Sequence, residues 1–316
     1  MKLPGLVFFW ACTIFPVPLL LEESFCIFSY AKHPEPVVIR AFLTITLFAR
    51  LAAAQDTSNV DAGRLALFGG VAVGTVTAVH IYQQQAWWQG SRGEFWMVND
   101  WGYSRGLDKL GHMYGAYFTT YISSYVLQWC GLPDRKSLLY GSITAMAFQF
   151  YVEIEDGFHD NYGFSAGDFL ADVTGAALPL AQYTFPVLQN LSLKWSYWPS
   201  KGYLDDVRAG QARAFIDDYE GQAYWLAIDP HFLMGEDMQN VFPSWLGIAV
   251  GRGVTGLKGK VWDGTPITYI SLDYNFSRIK TESAFLKGLF RALDFFHLPA
   301  PGIAIESGKV TFGVLY

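Results

Sequence analysis

Apolar positions along this chain fall into two regimes. Between 64 and 186 they form long runs broken by single turn signals; beyond 195 they shorten, crowd with Trp and Tyr, and alternate with polar residues. The first regime predicts four helices. The stretch 64–82, RLALFGGVAVGTVTAVHIY, has no acidic residue and about the 18–20 residues needed to span hydrocarbon. Gly69, Gly70 and Gly74 suit close helix–helix approach in lipid. His80, near its end, reads as a boundary or packing residue, and QQQAWWQG behind it as an interfacial aromatic collar. A second helix is expected from near Leu107 to about Cys130, stopped by Gly131 and Pro133. A third starts at Asp134, a favourable N-cap, and stops at Gly157. A fourth is capped by Ser165, then kinked and ended by Pro179 and Pro186.

In the second regime, alternation is clearest over 268–276. Ile270, Leu272, Tyr274 and Phe276 share one face; Tyr269, Ser271, Asp273 and Asn275 share the other. Shorter alternating stretches at 245–253 and 309–316 predict further strands, and 284–296 reads as an amphipathic helix with Leu286, Leu289, Phe290 and Leu293 on one face. The terminal Val310, Phe312, Val314 and Tyr316 resemble the last strand of an outer-membrane barrel. A barrel needs at least about eight strands, so a small antiparallel sheet packed on the helices is preferred. The expected fold class is mainly α: a membrane-associated helical bundle (55–195) followed by a smaller C-terminal α+β region (196–316) with a short antiparallel sheet.

Composition sharpens this picture. The chain is 52% hydrophobic, 17% aromatic and only 16% charged, against about 25% charged in ordinary soluble domains. The net charge of -6 and the lack of a basic run exclude a nucleic-acid partner. Cys12, Cys26 and Cys130 have no metal-site or disulfide-framework spacing. Residues 1–54 read as a signal-peptide region. Val37-Val-Ile-Arg40, the apolar 41–48 and Ala52-Ala-Ala54 give a basic start, a hydrophobic centre and an A-x-A cleavage pattern, with Gln55 as the first mature residue. Translation is expected to begin near Val37, which makes 1–36 an over-extended reading frame; the alternative is a hairpin of two membrane segments. No cysteine stands at the cleavage point to carry a lipid anchor. The expected location is the cell envelope, exported and membrane-associated, with the choice of membrane open.

Candidate chemistry concentrates between Trp101 and Ala177. Asp108 and His112 lie four apart on one helix, as do Asp168 and Asp172 on another. A carboxylate and an imidazole at that spacing can reach one cation, or one can orient the other for proton transfer. Paired aspartates in an apolar bundle require a cation, a proton or a basic partner. Asp108, His112, Glu155, Asp168 and Asp172 are therefore the candidate catalytic set, with a divalent metal as an optional cofactor. No GxSxG, Walker loop or HExxH occurs, so nucleophilic and nucleotide chemistry are unsupported.

Asn99-Asp100, Asp108-Lys-Leu-Gly-His112, Glu155-Asp-Gly157, Gly163-Phe-Ser-Ala-Gly-Asp168 and Ala171-Asp-Val-Thr-Gly-Ala176 together resemble the YfiM-like bacterial domain of unknown function, over about residues 95–185. The DK-xx-H start and the helix through Asp168 and Asp172 are more distantly similar to VanZ-like membrane proteins. The resemblance implies an envelope location and a polar helical site, and no established reaction. Asp172 departs from relatives that tend to carry Asn there; the extra negative charge favours a cation or a shared proton. Two functions follow: metal-assisted hydrolysis or handling of a lipid or glycan substrate, or a non-catalytic scaffold or lipid-binding protein in which the same residues pin helices together.

Overall fold

The computed structural model describes residues 60–90, 92–211, 214–257 and 262–316. The expected signal region and the proposed start near Val37 lie outside the described residues.

Four helices precede a sheet. Helix α1 (Ala62–Ala86) is capped by Asp61, whose carboxylate accepts from the Arg64 N–H. It is longer than its apolar run predicts because QQQA continues the helix. Its start packs Leu65 and Phe68 against Leu127, Cys130 and Leu132, while its apolar window has no buried residue. The expected aromatic collar is overturned at Trp88: this ring is buried, donates its N–H to Asp156 and stacks on His159. A polar acceptor on a neighbouring helix gives an indole a better place than a water boundary.

Helices α2 (Leu107–Trp129), α3 (Asp134–Gly157) and α4 (Ala166–Thr184) pack on one another. Ser165 caps α4 as expected, accepting from the Asp168 N–H. Asp134, in contrast, is the first residue of α3 and Pro133 is the cap position, with no side-chain cap. Pro179 lies inside α4, which runs on to Thr184. The α2–α4 contact is backbone-close: a Cβ added at Gly175 would run into the Met113 carbonyl.

The sheet has six strands, more than the three that alternation reveals. Strands β3 (Leu191–Tyr197), β4 (Gln222–Ile228), β5 (Leu246–Thr255), β6 (Thr265–Tyr274), β7 (Ala300–Glu306) and β8 (Lys309–Leu315) form an antiparallel meander in chain order. A two-residue parallel pair, β1 (Met97–Val98) with β2 (Phe164–Ser165), ties the loop before α2 to the start of α4. The boundary between helices and sheet falls at Leu191, a little before the composition shift. Short helices α5 (Lys201–Arg208) and α6 (Glu236–Val241) fill connections, and α7 (Ala284–Leu293) is capped by Ser283. The segment after α7 closes the free edge of β3: Trp195 N–H donates to Phe295 O at 3.1 Å and His297 N–H to Trp195 O at 3.0 Å.

The buried face of the sheet combines an apolar cluster of Ala223, Trp225, Ala227 and Ala249 with charged and hydroxyl groups. Lys194, Trp225, Ala249, Ser271 and Asp273 are buried within it, and the inner row Ala249, Ser271, Gly302, Gly313 is small or polar. The outer row runs in register through Leu226, Val250, Ile270, Ile303 and Phe312. Leu226, Ile248, Val250, Ile270 and Leu272 are 38–42% exposed, and Phe312 81%. Helix α2 covers part of this outer face: Tyr114 and Tyr117 pack on Leu193 of β3, Gly111 gives room to the Tyr224 ring of β4, and Leu107 and Leu110 pack on Val254 near the end of β5.

Candidate functional site

Three helices converge on His112. α2 supplies Asp108, Lys109 and His112 from its first two turns; α3 supplies Glu153 and Gln149; α4 supplies Asp168 and Asp172 from its first two turns. The His112 ring, 23% exposed, sits with Nδ1 3.2 Å from Asp172 Oδ1 and 3.8 Å from Glu153 Oε1, and with Nε2 3.8 Å from Asp168 Oδ1. Gln149 donates to the same Asp172 oxygen at 2.7 Å. The other Asp172 oxygen is buried with no hydrogen-bond partner.

Lys109 forms a second centre beside the first. Its ammonium lies 2.8 Å from Asp100, 2.9 Å from Asp108 and 2.7 Å from Asp168. Asp108 also accepts from Tyr219 at 2.6 Å, so the segment before β4 closes one side of the cluster. Asp100 accepts from Ser165 Oγ at 2.6 Å, and Glu153 accepts the Ser165 N–H at 3.0 Å. The chain enters α2 through Ser104 and Arg105, both left-handed (φ 45° and 57°), and then Gly106. Such backbone costs of order 1–3 kcal/mol per residue; it delivers Asp100 and Asp108 to the same ammonium.

Four of the five expected site residues meet here: Asp108, His112, Asp168 and Asp172. Glu155 does not. Its carboxylate pairs with Arg92 at 3.4 Å, while Glu153 takes the place among the His112 neighbours. At about 100° per residue, positions two apart on a helix point about 200° apart, so one of the two glutamates had to face away. The missed partners, Glu153, Asp100 and Gln149, carry a helix-phase signal only once the facing residues on α2 and α4 are known.

Electrostatics follow from burial. Two cationic groups, Lys109 and His112, face Asp100, Asp108, Glu153, Asp168 and Asp172. Burial pushes Glu153 up to about 8 against the pull of His112. It pushes Asp168 up to about 7, with His112 and Lys109 opposing. For Asp108 burial works the same way, yet His112, Lys109 and the Tyr219 hydroxyl outweigh it and hold the carboxyl below its ordinary value. Burial alone would lower His112; the Asp172 hydrogen bond and the nearby Asp168 and Asp108 carboxylates raise it well above its usual range. The cluster thus retains protons near neutrality, the expected response of excess buried carboxyls to a lack of compensating charge.

One ligand atom from each of Asp108, His112 and Asp168, and one from each of His112, Glu153 and Asp172, lie within 4.8 Å of one another. Lys109 already stands against the Asp108 and Asp168 carboxylates. In the second triad the cation is His112 itself, whose proton a metal would displace, and one Asp172 oxygen is unpartnered; a neutral imidazole with two carboxylates fits Zn²⁺, or Mn²⁺ through the carboxylates, better than Ca²⁺.

Residues 93–184 match the family model described as a predicted periplasmic lipoprotein, DUF2279. The match covers under a third of the 316 residues, includes every residue named in the cluster except Tyr219, and ends with the last residue of α4. It supports a bacterial envelope domain of unknown function and an exported location. Neither a curated protein nor a solved structure matches the chain.

Proposed function

We propose that this chain is a membrane-associated envelope protein whose helical unit binds a divalent cation at His112, Glu153 and Asp172, and that the bound ion serves metal-assisted hydrolysis or handling of a lipid or glycan substrate. The observation that carries the reading is the meeting of an imidazole with carboxylates from two other helices, one carboxylate oxygen being buried without a partner. A bound cation would supply Lewis-acid polarisation or an activated water. Asp168 and Asp108 border the ring, and the exposed edge of His112 is the route by which a reactant would reach it. The kinship with YfiM-like and VanZ-like proteins belongs to the same proposal. Membrane association is supported by α1, 25 residues long with no buried residue in its apolar window, and by the aliphatic outer face of the sheet.

The three carboxylates around Lys109 favour a second reading, in which the polar set pins helices in a non-catalytic scaffold or lipid-binding protein. Metal-free full-length protein separates the two. Titration with Zn²⁺ or Mn²⁺, followed by elemental analysis, is expected to give one ion per chain, lost in His112→Ala with the helical spectrum kept. A wild-type protein that takes up neither ion, together with a His112→Ala variant whose only change is a lower melting temperature, establishes the scaffold instead.

A further inference from the structure

Far from His112 in the sequence, one end of the sheet borders a cavity of about 310 Å³. Its size is at the small end of ligand sites, about 300–1,000 Å³. The ends of β3, β4, β5 and β6 frame it, and the turns around Asn190, Arg278 and Asp294 complete the rim.

The floor is charged and buried. Lys194 lies 2.8 Å from Asp273 and donates to the Tyr274 carbonyl at 2.7 Å. His297 meets the other Asp273 oxygen at 2.9 Å, which leaves that pair little freedom to change partners. On the wall, Arg278 pairs with Asp229 at 2.8 Å. Asp294 accepts the Phe276 and Ser277 N–H groups at 2.6 and 2.9 Å and lies 4.0 Å from Lys194. The Asn190 and Gln189 amides each donate one hydrogen, to the Val187 and Gln182 carbonyls, so each keeps its oxygen and a second N–H for a ligand. Gly247 keeps the space open between Ile228 and Asp273: a Cβ there would meet the Ile228 carbonyl at 3.0 Å.

These observations choose among ligand classes. Both cations are already matched by carboxylates and a third aspartate is in excess, so an anion gains no unpaired positive charge. An apolar ligand would strip water from charged and amide groups and return no hydrogen bonds, leaving buried polar groups unsatisfied. A hydroxyl both donates and accepts, and can bridge a carboxylate or amide oxygen to a neighbouring ammonium or guanidinium. We infer that this cavity binds a neutral, polyhydroxylated ligand the size of a single sugar ring.

This site is independent of the His112 reading, and its test separates them. Full-length protein is titrated by calorimetry and ligand-observed NMR with glucose, galactose and N-acetylglucosamine, and in parallel with inorganic phosphate and ethanolamine. Saturable binding of at least one sugar is expected, unchanged in His112→Ala. The dissociation constant should rise at least tenfold in Gly247→Leu, which fills the cavity, and in Asn190→Ala, which leaves the buried pairs intact and guards against a Gly247→Leu chain that does not fold. The inference is overturned if none of the sugars binds, if phosphate or ethanolamine binds in their place, or if folded variants bind sugar as the wild type does.

Discussion

Burial without a matching charge decides protonation at single residues, and Asp156 shows it away from the His112 cluster. Burial pushes its carboxyl from 3.8 up to about 6, although the Trp88 N–H pulls the other way. The folded state therefore keeps a proton that the unfolded chain releases. The resulting stabilisation is complete below about pH 4 and fades as the pH rises through about 6. Asp156→Asn keeps an acceptor for Trp88 and removes the titration. Its denaturation midpoint should vary less between about pH 4 and 6 than that of the wild type, in urea titrations across that window. An unchanged slope would mean that Asp156 titrates alike in both states.

Between elements, the decisive contact is the one with least room. Gly175 faces the Met113 carbonyl so closely that α2 and α4 cannot keep their separation around a methyl group. Gly175→Ala should cost about 1–3 kcal/mol through forced backbone shifts, and should loosen the cluster because His112 and Asp172 ride on the two helices. Gly70 of α1 has nothing within 4 Å of an added Cβ, so Gly70→Ala is the control and should gain up to about 1 kcal/mol from helix propensity alone. Equal effects of the two substitutions on the melting temperature would show that the α2–α4 approach yields freely.

At the scale of the whole molecule, the helices bury apolar side chains such as Leu107, Tyr117 and Leu127, while the sheet leaves a row of aliphatic side chains exposed. The sheet encloses Lys194, Asp273 and His297 and turns Val250, Ile270 and Phe312 outward, the alternation that lipid-facing strands display. On the proposed membrane association, the full-length wild type floats with vesicles in a flotation assay, and Val250→Asp with Ile270→Asp should shift it to the free fraction, with its sheet spectrum kept. If the double variant floats as the wild type does, α1 or another segment holds the membrane unaided. The six strands also show why the expected sheet was too small. β4, QAYWLAI, and β7, APGIAIE, place alanine, glycine and tryptophan inward and aliphatic residues outward, so both faces are largely apolar and a hydropathy pattern passes over them.

Local chemistry was enough to define much of this protein. Apolar run length, the Ser165 cap, Gly131-Leu-Pro133 and the four-residue spacing of Asp108 with His112 and of Asp168 with Asp172 determined the three packed helices and the faces their polar groups share, because each depends on neighbours within a turn or two. Tertiary structure decided what depends on how those faces are rotated against one another. It selected Glu153 over Glu155, lodged Lys109 among Asp100, Asp108 and Asp168, drew Trp88 inward to Asp156, and turned the aliphatic face of the strands outward. Period fixes which residues travel together, but the direction they face is set by the partners they meet across the fold.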